Sequence, residues 1–533
     1  MRPPSVVASV ALLAIFASCN DKEERKGAPE ASVPSSPAIS LRGSAYPSRP
    51  TRADELLYPG DVRSSAARGV GLVLFIAGCT TPPSPSSHNA PPAKSNASAS
   101  KDPPTTSASV ASAASAAPPE AKEAACPAID EAKIAPPSCD DKRIEAKIPD
   151  IIDAKHEMAA FYEAYAALAR GRAKDHVRAA MYGDSNLTMD EFTGRLRRTL
   201  QGKFGDGGHG FVSLAIPWAW YHHQDVRHDG KWGGWKQIAS STDPVPDAHY
   251  GLAHQAVEST KPGFPVWVAT ADEGSPIGTK ASRFDVFFLK RPGGGDFDIV
   301  ADGKVVRTVK TNAKGREAGI EHVELEEGTH KLECIPRTQN AVRLYGVALE
   351  RGAPAFVVDS LGTGALNYDQ MHWNVKATRD PMIEARVWKL VIFQIGTNVF
   401  GLHKDWIKEA FDTVKAACAR NGGATILVMT PPDLMKNWED PHSDVRIVWV
   451  SKELKQLAAE NGLAFWDFRE AMGGDAAIKK FIKNGLAAGD KIHMRKEGAE
   501  LMADRFLCAV HKDFKAYLAE HPTAGCGTGN PPK

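Results

Sequence analysis

The residues best suited to chemistry are a serine, an aspartate and a histidine that lie far apart in the chain. Ser185 follows Gly183 and Asp184, and Asp490 precedes His493 by three residues. At that spacing the carboxylate can orient the imidazole within one turn, and the imidazole can accept a proton from a serine that the fold brings to it. The pattern predicts a Ser–His–Asp group for nucleophilic catalysis.

Each of these motifs also has a purely structural interpretation. Asp and Ser are favoured at helix caps for backbone reasons, so Gly183-Asp184-Ser185 is also typical of a cap. Asp490 could be a loop carboxylate before a helix. Asn398, in Gly396-Thr397-Asn398, could simply form a turn after a strand.

The elements around Ser185 indicate how it is positioned. Residues 177–182 are typical of a short strand that runs directly into Gly183, and Phe192, Leu196 and Leu200 have helical spacing. In an α/β enzyme, a strand, a tight turn and a helix present a nucleophile at the carboxyl edge of the sheet. A helix N-terminus there would stabilise negative charge.

Two later segments also place a polar motif directly beside a predicted strand or helix. Residues 389–395 form a continuous apolar run, which favours a buried parallel strand, and lead into Gly396-Thr397-Asn398. His493 precedes a predicted helix from about Lys496 to Tyr517, whose apolar residues fall on one face. The three motifs would therefore each lie beside a regular element.

Together these segments resemble the SGNH hydrolase family, also called GDSL esterases. Gly183-Asp184-Ser185 matches the first block of the family, Gly396-Thr397-Asn398 the third, and Asp490 through His493 the fifth. For the second block, residues 356–360 lead into a glycine-rich turn. Alignment places Gly364 on the family's functional glycine, although Ala365 stands where Asp is common, and Gly362 is the alternative.

The resemblance implies an α/β, flavodoxin-like fold with a parallel sheet, and a serine hydrolase that needs no cofactor. Ser185 would attack an ester carbonyl, His493 would act as general base and then acid, and Asp490 would fix the histidine tautomer. The oxyanion would be held by the Ser185 N–H, the Gly364 N–H and the Asn398 side-chain amide.

The interval between Ser185 and Asn398 is far longer than this fold needs. Short alternating segments separated by turn residues predict strands there, which we place at residues 283–289, 296–300, 305–306, 322–325, 330–334 and 342–349. The pattern favours an inserted all-β sandwich, and its arrangement is similar to peptidoglycan O-acetylesterases of the family, which carry a carbohydrate-binding-like module.

Aromatic and histidine residues concentrate at the start of this interval. Exposed indole faces stack on sugar rings, so Trp218, Trp220, Tyr221 and His222 are candidates for substrate binding, with core packing as the alternative. The nearby histidines lack carboxylate partners and helical spacing, so no metal is predicted.

Two N-terminal segments have the composition of export signals. Residues 2–19 and residues 68–79 each combine an arginine, an apolar run and a small residue before a cysteine. Both resemble a lipobox. The second fits better, which predicts lipidation at Cys79 with Cys19 as the alternative, and residues before about Val62 could be an upstream extension. We expect a lipid anchor that holds the protein in the cell envelope, facing the periplasm.

The cysteines indicate possible disulfides, and the charge balance restricts the classes of binding partner. Local spacing favours disulfides Cys126–Cys139 and Cys508–Cys526, with the remaining pair, Cys334 and Cys418, as buried thiols. Lys plus Arg is 65 and Asp plus Glu is 64, so no basic surplus indicates nucleic-acid binding. Apart from the N-terminus, no apolar run approaches the length of about 20 residues that a spanning helix needs.

The sequence therefore predicts a lipid-anchored esterase that removes O-acetyl groups from a cell-wall glycan. Its predicted parts are a signal region (1–79), a Pro/Ser/Ala-rich linker (80–140), the first hydrolase part (141–215), the β-sandwich (216–352), the second hydrolase part (353–522) and a tail (523–533). The alternatives are a lipase or arylesterase, a glycan O-acetyltransferase, and a glycan-binding lipoprotein with a vestigial triad. The oligomeric state stays open.

Overall fold

The computed structural model of the protein describes residues 126–399 and 401–527. The predictions for both lipobox cysteines, Cys19 and Cys79, and for most of the linker lie outside these residues.

The strands in the described part belong to one parallel sheet and two antiparallel sheets. They are β1 (Val177–Gly183), β2 (Gly210–Ser213), β3 (Val226–Gly230), β4 (Lys236–Ala239), β5 (Gln255–Ser259), β6 (Val266–Thr270), β7 (Ala281–Lys290), β8 (Asp296–Ala301), β9 (Lys304–Lys310), β10 (Glu317–Gly328), β11 (Lys331–Pro336), β12 (Val342–Glu350), β13 (Phe356–Gly362), β14 (Trp388–Gln394), β15 (Thr425–Met429) and β16 (Ala464–Trp466).

The helices lie mainly before β1 and after β13. They are α1 (Glu131–Ile134), α2 (Ala159–Ala169), α3 (Glu191–Phe204), α4 (Tyr368–Trp373), α5 (Lys376–Arg386), α6 (Lys404–Ala419), α7 (Val445–Glu460), α8 (Phe468–Met472), α9 (Ala477–Lys483) and α10 (Lys496–Glu520). Among the residues that the structure describes, no helix is both long and apolar enough to cross a membrane.

A five-stranded parallel sheet carries the predicted motifs. Its strand order is β13-β1-β14-β15-β16. Every residue of β1 and of β13 is buried, which accounts for their largely apolar sequence, and their charged residues, Arg178 and Asp359, take part in buried ion pairs. Register places Gly183 beside Gly362 on one side and beside Gln394 on the other. The turns that follow these strands therefore meet at one carboxyl edge.

Helices from different parts of the chain cover the two faces. One core contains Phe161 of α2, Leu196 of α3 and Phe506 of α10. The other core contains Met382 of α5 and Phe411 of α6. The sheet is thus sandwiched between helices, and the predicted α/β class is confirmed.

Two antiparallel sheets form the insertion between β1 and β13. The larger has the order β10-β7-β12-β5-β4, with β2 also paired to β12, and the smaller has the order β3-β6-β11-β8-β9. Phe284, Phe297 and Leu332 belong to one core built from strands of both sheets. Strand β11 alternates buried and half-buried residues, the period expected of a sheet with one face inward. The predicted β-sandwich is present, and β2 to β6 extend it further toward the N-terminus than the strand pattern indicated.

A buried ion network joins the insertion to the parallel sheet. Glu350, at the end of β12, accepts hydrogen bonds from Arg178 of β1 at 2.7 and 2.8 Å and from Arg386 of α5 at 2.6 Å. Arg386 also donates to Asp359 of β13, which accepts the Phe211 N–H of β2 at 2.8 Å. The carboxylates are almost fully buried, so each charge is balanced by a neighbouring element.

The disulfide pairing differs from the prediction. The bridges join Cys126 to Cys526 and Cys139 to Cys508. The segment that contains the first two cysteines lies along α10, where His511 Nδ1 donates to the Ile134 carbonyl at 3.0 Å. Each N-terminal cysteine therefore meets one near the C-terminus instead of its neighbour in sequence.

The other two described cysteines are free and buried, as predicted. Burial raises the pKa of both Cys334 and Cys418 to about 12, so neither is a thiolate at neutral pH.

Candidate active site

Ser185 lies in a tight turn directly after β1. It begins a 3₁₀ turn, Ser185–Leu187, and the Asp184 carboxylate caps this turn by accepting the Asn186 N–H at 3.2 Å. A side chain at Gly183 would come within 2.8 Å of Leu187, so the turn requires a glycine there. The predicted helix begins at Glu191, six residues after the serine.

The structure brings Ser185, His493 and Asp490 together in a line. The Ser185 hydroxyl lies 2.8 Å from His493 Nε2, and His493 Nδ1 lies 2.7 Å from Asp490 Oδ2. Because the carboxylate accepts the proton on Nδ1, Nε2 is left as the acceptor that faces the serine. This is the arrangement in which a histidine can take a proton from a hydroxyl.

The loop that carries the histidine is fixed by its own aspartate. Asp490 Oδ1 accepts the backbone N–H groups of Ile492 at 2.9 Å and of His493 at 3.0 Å. Lys491 has a φ of +66°, which lets the chain turn back within three residues. Burial opposes ionisation of Asp490, but its hydrogen bonds from His493 outweigh burial and hold its pKa below the usual value.

A second contact clamps this loop to the serine turn. The Met494 N–H donates to Asn186 Oδ1 at 3.1 Å, which joins residues immediately after the histidine and immediately after the serine. Sequence reasoning did not assign a role to Asn186. Its position next to Ser185 was the only available signal.

Asn398 lies at the same edge, on the turn after β14. The Thr397 N–H donates to Asp184 Oδ2 at 3.2 Å, which draws this turn against the serine turn. The side-chain nitrogen of Asn398 is buried and has no hydrogen-bond partner among the residues that the structure describes. A buried amide N–H without an acceptor is suited to an oxyanion that forms only during a reaction.

Both candidate glycines follow β13 toward this edge. Gly362 ends the strand, and a side chain there would meet the Leu187 backbone at 2.7 Å. Gly364 is buried against Trp218, whose ring would be 2.9 Å from an added Cβ atom. Ala365 has a φ of +57°, a conformation that aspartate tolerates better than alanine does.

The predicted substrate-binding aromatics do not share one environment. Trp218 and Trp220 are half-buried and stack on each other, with ring centroids 6.3 Å apart and planes at 20°. His222 is exposed. Tyr221 is buried, and its hydroxyl lies 3.0 Å from His223 Nε2. The Tyr221 ring packs inward with the histidines, which favours the core-packing alternative for this residue.

A buried group near the site has the composition of metal ligands. Ligand atoms of Asp190, His209 and His223 lie within 4.8 Å of one another. The Asp190 carboxylate is already engaged by the Arg197 guanidinium at 2.9 Å and by the Gln224 N–H at 2.9 Å. A metal ion would have to displace this buried cation, so the donor set does not fit a metal. Burial lowers the pKa of His223 to about 3, so the ring packs as a neutral group.

Comparison of the sequence with known protein families and with curated proteins gives no match. Among solved structures, the chain is similar to a peptidoglycan O-acetylesterase, with 20% identity and a TM-score of 0.55, over 69% of this chain and 99% of the other. Family two carbohydrate esterases from Cellvibrio japonicus (11% identity, 54% of this chain and 98% of that one, TM-score 0.21) and from Clostridium thermocellum (13%, 53% and 99%, 0.22) also align. Their TM-scores are too low to support an argument.

The first of these similarities extends over almost the whole of the solved enzyme and concerns the fold. In this chain, the first two strands of the parallel sheet in sequence, β1 and β13, are separated by the antiparallel sheets. The chain therefore shares the fold of that solved protein, and the parallel sheet interrupted by a β-sandwich is present as the sequence predicted.

Proposed function

We propose that the protein is a serine esterase that removes O-acetyl groups from a cell-wall polysaccharide, with peptidoglycan as the substrate. The observation that carries the proposal is the line from Ser185 Oγ through His493 to Asp490, beside the unpartnered Asn398 amide. Nucleophile, base, orienting carboxylate and oxyanion donor lie at one sheet edge, which is the set of groups that acyl transfer needs.

The reaction proceeds in two acyl transfers. Ser185 Oγ attacks the acetyl carbonyl carbon while His493 Nε2 takes its proton, and the negative charge develops on the carbonyl oxygen. The bond to the sugar oxygen then breaks as His493 returns the proton to that oxygen, which leaves acetyl-Ser185 and a free sugar hydroxyl. Water, deprotonated by His493, then attacks the acetyl carbonyl carbon. The bond to Ser185 Oγ breaks, His493 returns the proton to that oxygen, and acetate leaves.

Three donors are available for the oxyanion. In this proposal they are the Ser185 N–H, the Gly364 N–H and the Asn398 amide. The ionised Asp490 carboxylate stabilises the imidazolium that forms on His493 in each step, and the low pKa of Asp490 keeps this charge in place at neutral pH.

Three observations support a glycan as the acyl donor. The chain has the fold of a protein named as a peptidoglycan O-acetylesterase, and it carries a β-sandwich insertion. Trp218 is half-buried and lies against Gly364, at the edge of the site, where a sugar ring could stack. The two lipobox patterns support a lipid anchor at Cys79, or at Cys19, and a position in the cell envelope close to such a polymer.

The test is acetate release from O-acetylated peptidoglycan, compared with hydrolysis of p-nitrophenyl acetate and of a long-chain p-nitrophenyl ester. We expect release from the polymer and from p-nitrophenyl acetate, and loss of both in Ser185→Ala. Hydrolysis of the long-chain ester alone would indicate a lipase. Appearance of acetate on an added glycan instead of in solution would indicate a transferase, and binding without any ester cleavage would indicate a glycan-binding protein.

A further inference from the structure

A group of rings on the surface beside the site has no role in the mechanism above. It consists of His372, Trp373, His403 and Trp406, and we call it the aromatic shelf. The Trp406 ring lies 4.4 Å from the His372 ring with planes at 3°, and 4.1 Å from the His403 ring. Trp373 packs edge-on against Trp406 at 6.3 Å and is 51% exposed. A large indole thus stays in solvent while its neighbours hold it in place.

The shelf is continuous with the candidate active site. Its residues lie on α4, which begins four residues after Gly364, and on the segment that follows Asn398. Asp369 Oδ1 accepts a hydrogen bond from His403 Nδ1 at 3.2 Å, which connects these two segments. Both segments that supply oxyanion donors therefore lead directly into the shelf.

Tyr368, the first residue of α4, lies between the shelf and the serine turn. The Thr363 N–H, just after β13, donates to the Gly183 carbonyl at 3.0 Å, so the segment that leads into α4 starts beside the serine turn. From Tyr368 to Trp373 the helix advances by about 8 Å at 1.5 Å per residue. The shelf therefore lies at the far end of a short helix whose entry segment starts beside the serine turn.

Polar groups surround the exposed ring. Glu409 of α6 accepts hydrogen bonds from both His372 and Lys376, and these side chains are half-buried or exposed at the rim. A flat ring bordered by carboxylates and cations offers stacking to the apolar face of a sugar and hydrogen bonds to its hydroxyl groups. An acyl chain would need apolar walls in place of this charged rim.

We propose that the aromatic shelf is a binding subsite for a sugar residue of the glycan strand, next to the residue whose acetyl group is removed. The proposal rests on the function proposed above and adds a subsite formed by α4 and the start of α6. Trp373 supplies the stacking surface, and the half-buried rings support it.

The test compares Trp373→Ala with the unchanged protein on a polymer and on a small ester. We expect kcat/KM for O-acetylated peptidoglycan to fall about tenfold, mainly through KM, because one stacking contact is lost. Activity on p-nitrophenyl acetate should not change, since this ester cannot reach the shelf. Trp373→Phe should restore most of the polymer activity.

Trp449 provides a matched control. It is 40% exposed on α7 and lies outside the shelf, so Trp449→Ala should leave both activities unchanged. Binding to insoluble peptidoglycan in the Ser185→Ala background gives a readout without turnover, and Trp373→Ala should weaken it.

The outcomes separate the subsite from the function. If Trp373→Ala and the unchanged protein act equally on the polymer, the subsite is wrong and the esterase proposal stands. If Trp373→Ala loses both activities in parallel, the residue supports the fold of the site and the subsite is again wrong. If the unchanged protein releases no acetate from the polymer, the proposed function itself fails, and equal binding by the two Ser185→Ala proteins would reject the subsite independently.

Discussion

The contacts of Asn398 in the resting protein do not explain its buried side-chain amide, whereas the proposed reaction gives that amide a role. Its buried amide nitrogen donates no hydrogen bond to any described residue. Such a buried donor costs free energy unless a ligand or intermediate accepts a hydrogen bond from it. In the proposed reaction the tetrahedral oxygen supplies the missing acceptor.

We therefore expect Asn398→Ala to lower kcat on p-nitrophenyl acetate by about 10²–10³-fold, the typical effect of losing one oxyanion donor. The melting temperature should not fall, because the resting protein loses no hydrogen bond. Asn340→Ala, at an exposed position of the β-sandwich, is the control and should change neither quantity. An unaltered kcat in Asn398→Ala would remove this residue from the site.

The contacts of site residues could be predicted where the residues lie close together in the sequence. Asp490 and His493 lie three positions apart, so their hydrogen bond follows from the sequence once the pair is noticed. The clamp between Asn186 and Met494 could not be predicted, because it joins segments that only the fold brings together. The burial of Tyr221 could not be predicted either, since a cluster of aromatic residues in the sequence does not reveal which rings face inward.

At the scale of elements, the start of α3 carries an unusual carboxylate. Glu191 is its first residue and packs beside the start of α10. Burial, together with the nearby charge of Glu500, raises the pKa of Glu191 to about 7 from the 4.5 of the unfolded chain. Between these two pH values the folded protein holds a proton that the unfolded chain has released, so stability falls as the pH rises through this interval.

We expect Glu191→Gln to remove this loss. The variant should be more stable than the unchanged protein above pH 7, by on the order of 3 kcal/mol, and similar to it near pH 4. Urea unfolding at the two pH values measures the difference, with Glu520→Gln, at the exposed end of α10, as control. The same difference at both pH values would contradict the assignment.

The strands and helices could be predicted best where the pattern of apolar residues in the sequence is clearest. Strands β1, β13, β14 and β15 have long apolar runs, and their positions agree with the sequence pattern. Strands β2 to β6 are short and lie among glycines, prolines and tryptophans, so no clear period marks them. The helix predicted from Phe192, Leu196 and Leu200 is α3, whereas the 3₁₀ turn at Ser185–Leu187, capped by the Asp184 side chain, was not predicted.

For the whole molecule, the Glu350 network determines how firmly the insertion is fixed to the parallel sheet. Glu350→Gln leaves Arg178 and Arg386 without a shared negative charge, so we expect a loss of about 3–5 kcal/mol in the free energy of unfolding. Urea unfolding measures it. As control, Asp150→Asn breaks the exposed pair with Lys512 and should cost less than about 1 kcal/mol. Equal costs for the two variants would show that the network does not hold the parts together.

The crossed disulfides have a consequence for how the chain is made. Cys126 and Cys139 leave the ribosome early, whereas their partners, Cys526 and Cys508, come at the end of synthesis. Where the growing chain meets an oxidant, each early thiol can form a bond with another cysteine of the chain before its native partner has been synthesised. Thiol–disulfide exchange must then undo that bond, so the yield of native protein should depend on an isomerase more than on an oxidase.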